Sequence, residues 1–209
     1  MTTAAITELW YSLLHLDLRN SHARDALTDT QAMHKLVQQG FDQERQAHNI
    51  LYHYLPARPG FAHQILVQAT TRPGWGPING TLLTVDVKEI TNQWLSLRTG
   101  ASYRFRLNAN PTTTDSTGRR RAIPDPPNQT LWLTRRLAGA ADVKQVSVTA
   151  PVTRTGNREE ATVTHRAVTY SGVLTVGDAD QFRHLIATGI GPGKAYGHGL
   201  LTIAPSITT

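Results

Sequence analysis

Apolar and polar residues alternate through "ELWYSLLHLDL" (8–18), the period of a half-buried strand. The period then changes. In "TDTQAMHKLVQQGF" (28–41), Ala32, Met33, Leu36 and Val37 fall on one helical stripe, and Thr28 and Gln31 have the spacing of a capping box. "NILYHYL" (49–55) and "HQILVQAT" (63–70) return to strand patterning, with "PARPGFA" as the turn between them. A short helical piece is predicted near Gly74–Leu82, followed by an interrupted extended stretch from Leu83 to Arg98. The order is β-α-β-β-(α)-β.

"RTGASY" (98–103) reads as a junction, after which the same order recurs. "SYRFRLNANP" puts Tyr103, Phe105 and Leu107 on one face of a strand and Arg104 and Arg106 on the other. A polar, proline-ended loop carries Arg119, Arg120 and Arg121. "NQTLWLTRRLAGA" (128–140) predicts a helix bearing Arg135 and Arg136, and "DVKQVSVTAPV" a strand. "TRTGNREEAT", with Arg154 and Arg158, reads as a turn or hairpin tip. In "HRAVTYSGVLTV" (165–176), Val168, Tyr170, Leu174 and Val176 share a side. Asp178 suits an N-cap for a helix buried through Phe182, Leu185 and Ile186. "GLLTIAP" closes as a strand. The pattern predicts an α+β protein of two tandem ferredoxin-like (RRM-like) βαββαβ domains with antiparallel sheets, residues 1–100 and 101–209. It rests on element order, since no sequence repeat links the halves.

Composition narrows the function classes. Cysteine is absent, which excludes disulfides and thiolate metal sites. No apolar run reaches the ~18 residues of a membrane span, and the N-terminus lacks signal-peptide character, so no membrane partner and a cytoplasmic location are expected. Residues 1–100 hold 8 Lys+Arg against 8 Asp+Glu, whereas residues 101–209 hold 13 against 7, so the whole +6 excess lies in the second half. Seventeen of the 21 basic residues are arginine, whose planar fork grips phosphate and stacks on bases. A polyanionic partner fits the basic half.

"GIGPGKAYGHGLL" (189–201) looks like a phosphate loop, but its spacing fits no nucleotide motif. A Walker A loop ending at Gly193-Lys194 needs glycine at Thr188 and a hydroxyl at Ala195. A G-x-G-x-x-G loop needs glycine where Lys194 stands. Gly189 suits the end of a helix, with Ile190 as its hydrophobic contact. Gly193, Gly197 and Gly199 are not explained by the helix end and, with Lys194, suit either an anion site or a tight turn.

The nine histidines form no zinc pattern, and no G-x-S-x-G elbow is present. His34 stands out by position. It lies beside the apolar stripe of the first helix, on the face of Gln31 and Gln38, with Lys35 next to it. A histidine near a cation suits proton transfer at a phosphodiester; a solvated surface histidine is the plain alternative.

"LDLRN" (16–20), "MHKL" (33–36), "YRFRLNANP" (103–111), "WLTRRL" (132–137), "YSGVLTV" (170–176) and "GIGPGKAYGHGLLTIAP" (189–205), in this order and spacing, resemble the CasE family of type I-E CRISPR repeat-processing endoribonucleases. The resemblance covers essentially the whole chain. It implies a ribonuclease that needs no metal or other cofactor. Such an enzyme binds the stem-loop of the CRISPR repeat and cuts at the base of its 3′ side by attack of the RNA's own 2′-hydroxyl. It then keeps the product and joins the other Cascade subunits. The family's catalytic histidine maps onto His34. Gln31 stands where members often carry a tyrosine, and Lys35 is placed to offset phosphorane charge. His198 replaces a residue that is often cysteine in the last loop and is a second candidate proton donor. The resemblance assigns RNA contacts to Arg19, Arg104, Arg106, Arg119, Arg120, Arg121, Arg135, Arg136, Arg154, Arg158, Gly191, Gly193 and Lys194. A hairpin-binding module of the same fold without catalysis is the alternative.

Overall fold

β1 (Trp10–Leu16) sits between two antiparallel partners. The computed structural model to which it belongs describes residues 6–42, 45–149, 152–158 and 161–206, with side chains outside those of 152–158 and 161–165. Ser12, Leu14 and Leu16 alternate to the buried side of β1, as the period-two pattern requires.

Two helices follow where the sequence predicts one. α1 (Ser21–Thr28) starts at Asn20, whose side chain accepts from the His22 N–H. It buries only two alanines, Ala23 and Ala26, an apolar signal too small to mark a helix by periodicity. Asp29 then takes an extended conformation (φ −123°), ending α1 and starting α2 (Thr30–Gln38). The Thr28–Gln31 capping box is not formed. Asp29 is the N-cap and accepts from the Gln31 N–H at 2.7 Å, while the Thr28 hydroxyl donates back to Asp25 O. Met33, Leu36 and Val37 are buried, as the stripe predicts.

β2 (Leu51–Leu55), β3 (Gln64–Ala69), a 3-10 turn (Gly76–Thr81) and β4 (Leu82–Glu89) complete an antiparallel sheet of order β2-β3-β1-β4. The extended stretch expected from Leu83 to Arg98 is β4 followed by a short helix, α3 (Thr91–Leu95). Thr91 and Trp94 are buried one helical turn apart, and the Thr91 hydroxyl accepts from the Leu9 N–H.

β5 (Ser102–Ala109) buries Phe105 and Leu107 and exposes Arg104 and Arg106. The expected loop after it contains a small hairpin, β6 (Thr112–Thr114) and β7 (Arg120–Ala122). α4 (Pro126–Leu137) begins before the predicted Asn128. Asp125 caps it, and proline at the first turn lacks only an N–H that had no helical partner. β8 (Ala141–Val148), β9 (Val152–Arg158), β10 (Ala161–Val176), α5 (Ala179–Thr188) and β11 (Leu201–Pro205) follow. The residues expected to be a turn or hairpin tip include β9, which pairs with β10. Asp178 caps α5 as predicted, with Phe182 and Ile186 buried.

The second sheet runs β11-β5-β10-β8. Ranked in chain order among these four strands alone, leaving aside the β6–β7 hairpin and the extra strand β9, this is fourth, first, third, second. The first sheet, read from β4, has the same order. That shared permutation makes both halves ferredoxin-like. The chain divides into two units, one of residues 1–95, 155–163 and 195–197, the other of 96–154, 164–194 and 198–209. Among the described residues, no helix is long and apolar enough to cross a membrane.

Candidate active site

Successive residues of a helix turn by about 100°, so Met33, His34 and Lys35 meet three environments. Met33 enters the core, His34 is half-buried at its flank, and Lys35 is exposed. Lys35 lines a separate cavity of about 450 Å³ with His22, Asp25 and Gln39. Gln31 is half-buried one turn before His34.

What His34 faces comes from far along the chain. The ring of Tyr196 lies 6.4 Å from that of His34, centroid to centroid, tilted by 56°. Tyr196 ends a 3-10 turn (Lys194–Tyr196) in the glycine-rich loop, and it groups with the first unit. The buried Tyr52 holds this segment, its hydroxyl donating to Ala195 O at 2.7 Å.

Arg45 completes the surroundings. It is part-buried and donates through Nη1 to Ile50 O at 3.2 Å. Burial lowers the pKa of His34, and the positive charge of Arg45 lowers it further. The imidazole is therefore held towards its neutral, proton-accepting form. Burial also lowers the pKa of Arg45, with the Tyr52 phenol acting in the opposite sense. A neutral histidine beside a cation and a phenol can accept a proton while its neighbours stabilise negative charge on a phosphate. The sequence pattern singles out His34 but neither Arg45 nor Tyr196. Neither lies on the helix whose pattern exposed the histidine.

The rest of the glycine loop belongs to the second unit. Ile190 N–H donates to Gly199 O at 2.9 Å, and Gly199 N–H to Asn108 O at 2.7 Å. A Cβ on Gly199 would stand 2.9 Å from Ile190 O, and the φ of +91° there is one that only glycine adopts readily. Gly189, Gly191 and Gly193 also have positive φ, and Gly191 backs onto the Trp132 ring. Tight-turn geometry thus accounts for much of the glycine content. Lys194 is half-buried. His198 is 2% exposed with Nδ1 2.9 Å from the Asn108 side chain, so it offers almost no surface to a substrate.

The predicted arginines differ in their surroundings. Arg104 and Arg106 stand exposed on β5, beside Ser171 and Val173 of β10 and Thr202 and Ala204 of β11. Asp115 organises the β6–β7 turn, accepting from Thr117, from the Arg119 N–H and from Arg121 Nε at 2.7 Å. These bonds hold its carboxyl at about 2, and they tie Arg121 to a carboxylate while Arg119 and Arg120 remain exposed. Arg135 and Arg136 border a groove of about 590 Å³ between α4 and this hairpin, with Arg136 over the Trp132 ring at 5.6 Å. Arg19 is gripped by Asp17 through Nε and Nη2. Arg154 and Arg158 lie on β9, and their side chains fall outside the described residues.

Three comparisons bear on this arrangement. Residues 9–205 match the model of a family described as CRISPR associated protein. The CRISPR-associated endoribonuclease Cse3 of Thermus thermophilus is 30% identical, over 94% of this chain and all of that protein. The Cascade subunit CasE of Escherichia coli is 32% identical over 77% of this chain and 91% of its own length. The solved structure of Thermus thermophilus Cse3 bound to an RNA representing a pre-cleavage complex superposes with a TM-score of 0.86. It shares 29% identity and covers 95% of this chain and all of that one.

Proposed function

The chain belongs to the CRISPR associated protein family, and from that premise we propose that it is an endoribonuclease that cuts precursor CRISPR RNA at the base of the repeat stem-loop. It retains the product and joins the Cascade complex, in the cytoplasm. The observation that carries the reading is His34: half-buried, biased to its neutral form, and set beside Arg45 and Tyr196. Similarity over 94% of the chain to an endoribonuclease and over 77% of it to a Cascade subunit supports it.

The 2′-hydroxyl of the nucleotide before the cut attacks the adjacent phosphate. His34 takes its proton as the O2′–P bond forms and returns it to O5′ as the P–O5′ bond breaks. The products are a 2′,3′-cyclic phosphate and a 5′-hydroxyl, and no water is consumed. Arg45 offsets the charge of the pentacoordinate phosphorane. Gln31 borders the site on α2, while Lys35, turned to the neighbouring cavity, adds positive charge on the same helix. Residues 1–100 carry His34 and Arg45, and residues 101–209 most of the RNA grip. Arg104, Arg106, Arg119, Arg120, Arg135 and Arg136 contact the sugar–phosphate backbone of an A-form stem, whose base edges are hard to reach. Lys194, with the backbone of Gly191 and Gly193, adds a further phosphate contact.

The test uses the host's repeat RNA in EDTA. One cut at the stem base is expected, abolished by a 2′-deoxy nucleotide at that position. His34→Ala should lose at least ~10²-fold in cleavage rate while keeping its affinity for the hairpin. Cleavage at the wild-type rate by that variant would remove His34 from the mechanism. Hairpin binding without any cleavage by the wild type would leave a binding module.

A further inference from the structure

Tyr196 has no role in the reaction as derived so far, yet its seat is built. Ala195–Gly197 groups with the unit that carries His34, while the loop on either side groups with the other unit. The residues before and after Tyr196 both meet Tyr52. Ala195 accepts from its hydroxyl at 2.7 Å, and Gly197 packs so closely that a Cβ there would stand 3.1 Å from the Tyr52 ring. Gly197 also has a φ of +81°, a conformation that side-chain-bearing residues rarely adopt. The short segment is thus fixed on both sides of the tyrosine.

Both rings at the site are half-buried and face each other at 6.4 Å with a 56° tilt, so they are not stacked on one another. Each has a polar edge, and a phenol donates readily to phosphate oxygens. One phosphate group can hydrogen-bond both rings, and the Arg45 cation, close enough to act on His34, favours an anion there.

We propose that Tyr196 is a catalytic residue of the cleavage site, its O–H donating to a non-bridging oxygen of the scissile phosphate while His34 moves the proton. The inference rests on the endoribonuclease reading. In the step, the O2′–P bond forms, the P–O5′ bond breaks and one proton passes from O2′ to O5′ through His34. Tyr196 keeps its proton throughout. Its hydrogen bond shortens as charge grows on the phosphoryl oxygens, so its contribution falls on the rate and not on hairpin affinity.

The experiment compares wild type, Tyr196→Phe and Tyr196→Ala in single-turnover cleavage of the repeat RNA, with hairpin Kd measured on a 2′-deoxy substrate. Tyr196→Phe is expected to cut ~10²-fold more slowly with a Kd within about twofold of wild type, as for a donor used in the transition state. A phosphorothioate replacing the contacted oxygen should slow the wild type and slow Tyr196→Phe much less. Wild-type rates for Tyr196→Phe, with slowing only in Tyr196→Ala, would overturn this proposal and leave the nuclease reading intact. No cleavage by the wild type would overturn both.

Discussion

The guanidinium of Arg45 acts on His34 at a distance, and its effect has a definite sign. A positive charge disfavours a second one, so it adds to burial in lowering the imidazole pKa. Arg45→Ala removes that share and leaves the burial. The His34 pKa, followed by NMR of its ring protons in the free enzyme, is expected to rise towards the ordinary histidine value. If the neutral imidazole is the base, kcat/KM rises with pH through this pKa, since that ratio reports the free enzyme. The acid limb of the profile should therefore move to higher pH in Arg45→Ala, and the plateau should fall because phosphorane charge is less well offset. An unmoved acid limb would mean that His34 does not act as the base. His34 was readable because its neighbours on α2 form a clear apolar stripe that places it at the core's edge. Tyr196 was not readable as its partner. The anchoring bond from Tyr52 to Ala195 spans 143 positions, and no local pattern encodes it.

At the scale of elements, the entry to α2 shows which signals a sequence carries. Met33, Leu36 and Val37 give α2 a stripe of large side chains, and that helix was predicted. The two alanines of α1 give almost none, so no element is predicted there. α3, of five residues, is too short for a helical period to register. The start of α2 was misread for a chemical reason. Both Thr28 and Asp29 are good caps by type, and only the extended backbone at Asp29 decides between them. The two candidates separate experimentally. Asp29→Ala should cost about 1 kcal/mol in urea unfolding, because the Gln31 N–H loses its acceptor. Thr28→Ala should cost clearly less, since its hydroxyl donates to a carbonyl already engaged with the Asp29 N–H. Equal losses would return the cap to Thr28.

For the whole molecule, the doubled strand order was visible as a doubled pattern. Seven of the eight strands along the two sheet paths lie where the alternation placed them, to within a few residues at their ends; β4 stops at Glu89, where α3 takes over the rest of the stretch expected to be extended. The uneven charge was equally visible, but its fine placement was not. Arg121 and Arg19 each meet a carboxylate two or more positions away, whereas Arg104 and Arg106 stand exposed on the face of β5 away from Phe105 and Leu107. Backbone contacts by those two arginines should appear in the salt dependence of hairpin binding. The double variant Arg104→Ala/Arg106→Ala is expected to flatten the plot of log K against log[salt] by about 1.5 units. Arg19→Ala, whose charge Asp17 already offsets, should flatten it by well under one. Equal slopes for wild type and the double variant would take the RNA off that face.

The three-residue return of the chain to the first unit, Ala195–Gly197, has a consequence for dissecting the protein. A gene cut at the natural-looking boundary near residue 100 gives an N-terminal fragment that keeps His34 and Arg45 but lacks Tyr196 and the carbonyl that Tyr52 engages. Such a fragment holds an unfinished site however well it folds. Fragment complementation offers a direct readout: adding residues 101–209 in trans should restore cleavage, at a rate ~10²-fold lower when position 196 is phenylalanine. On the role proposed for Tyr196, the linear order of the gene divides the reaction between the two coding halves, although His34 and Tyr196 fall in one structural unit.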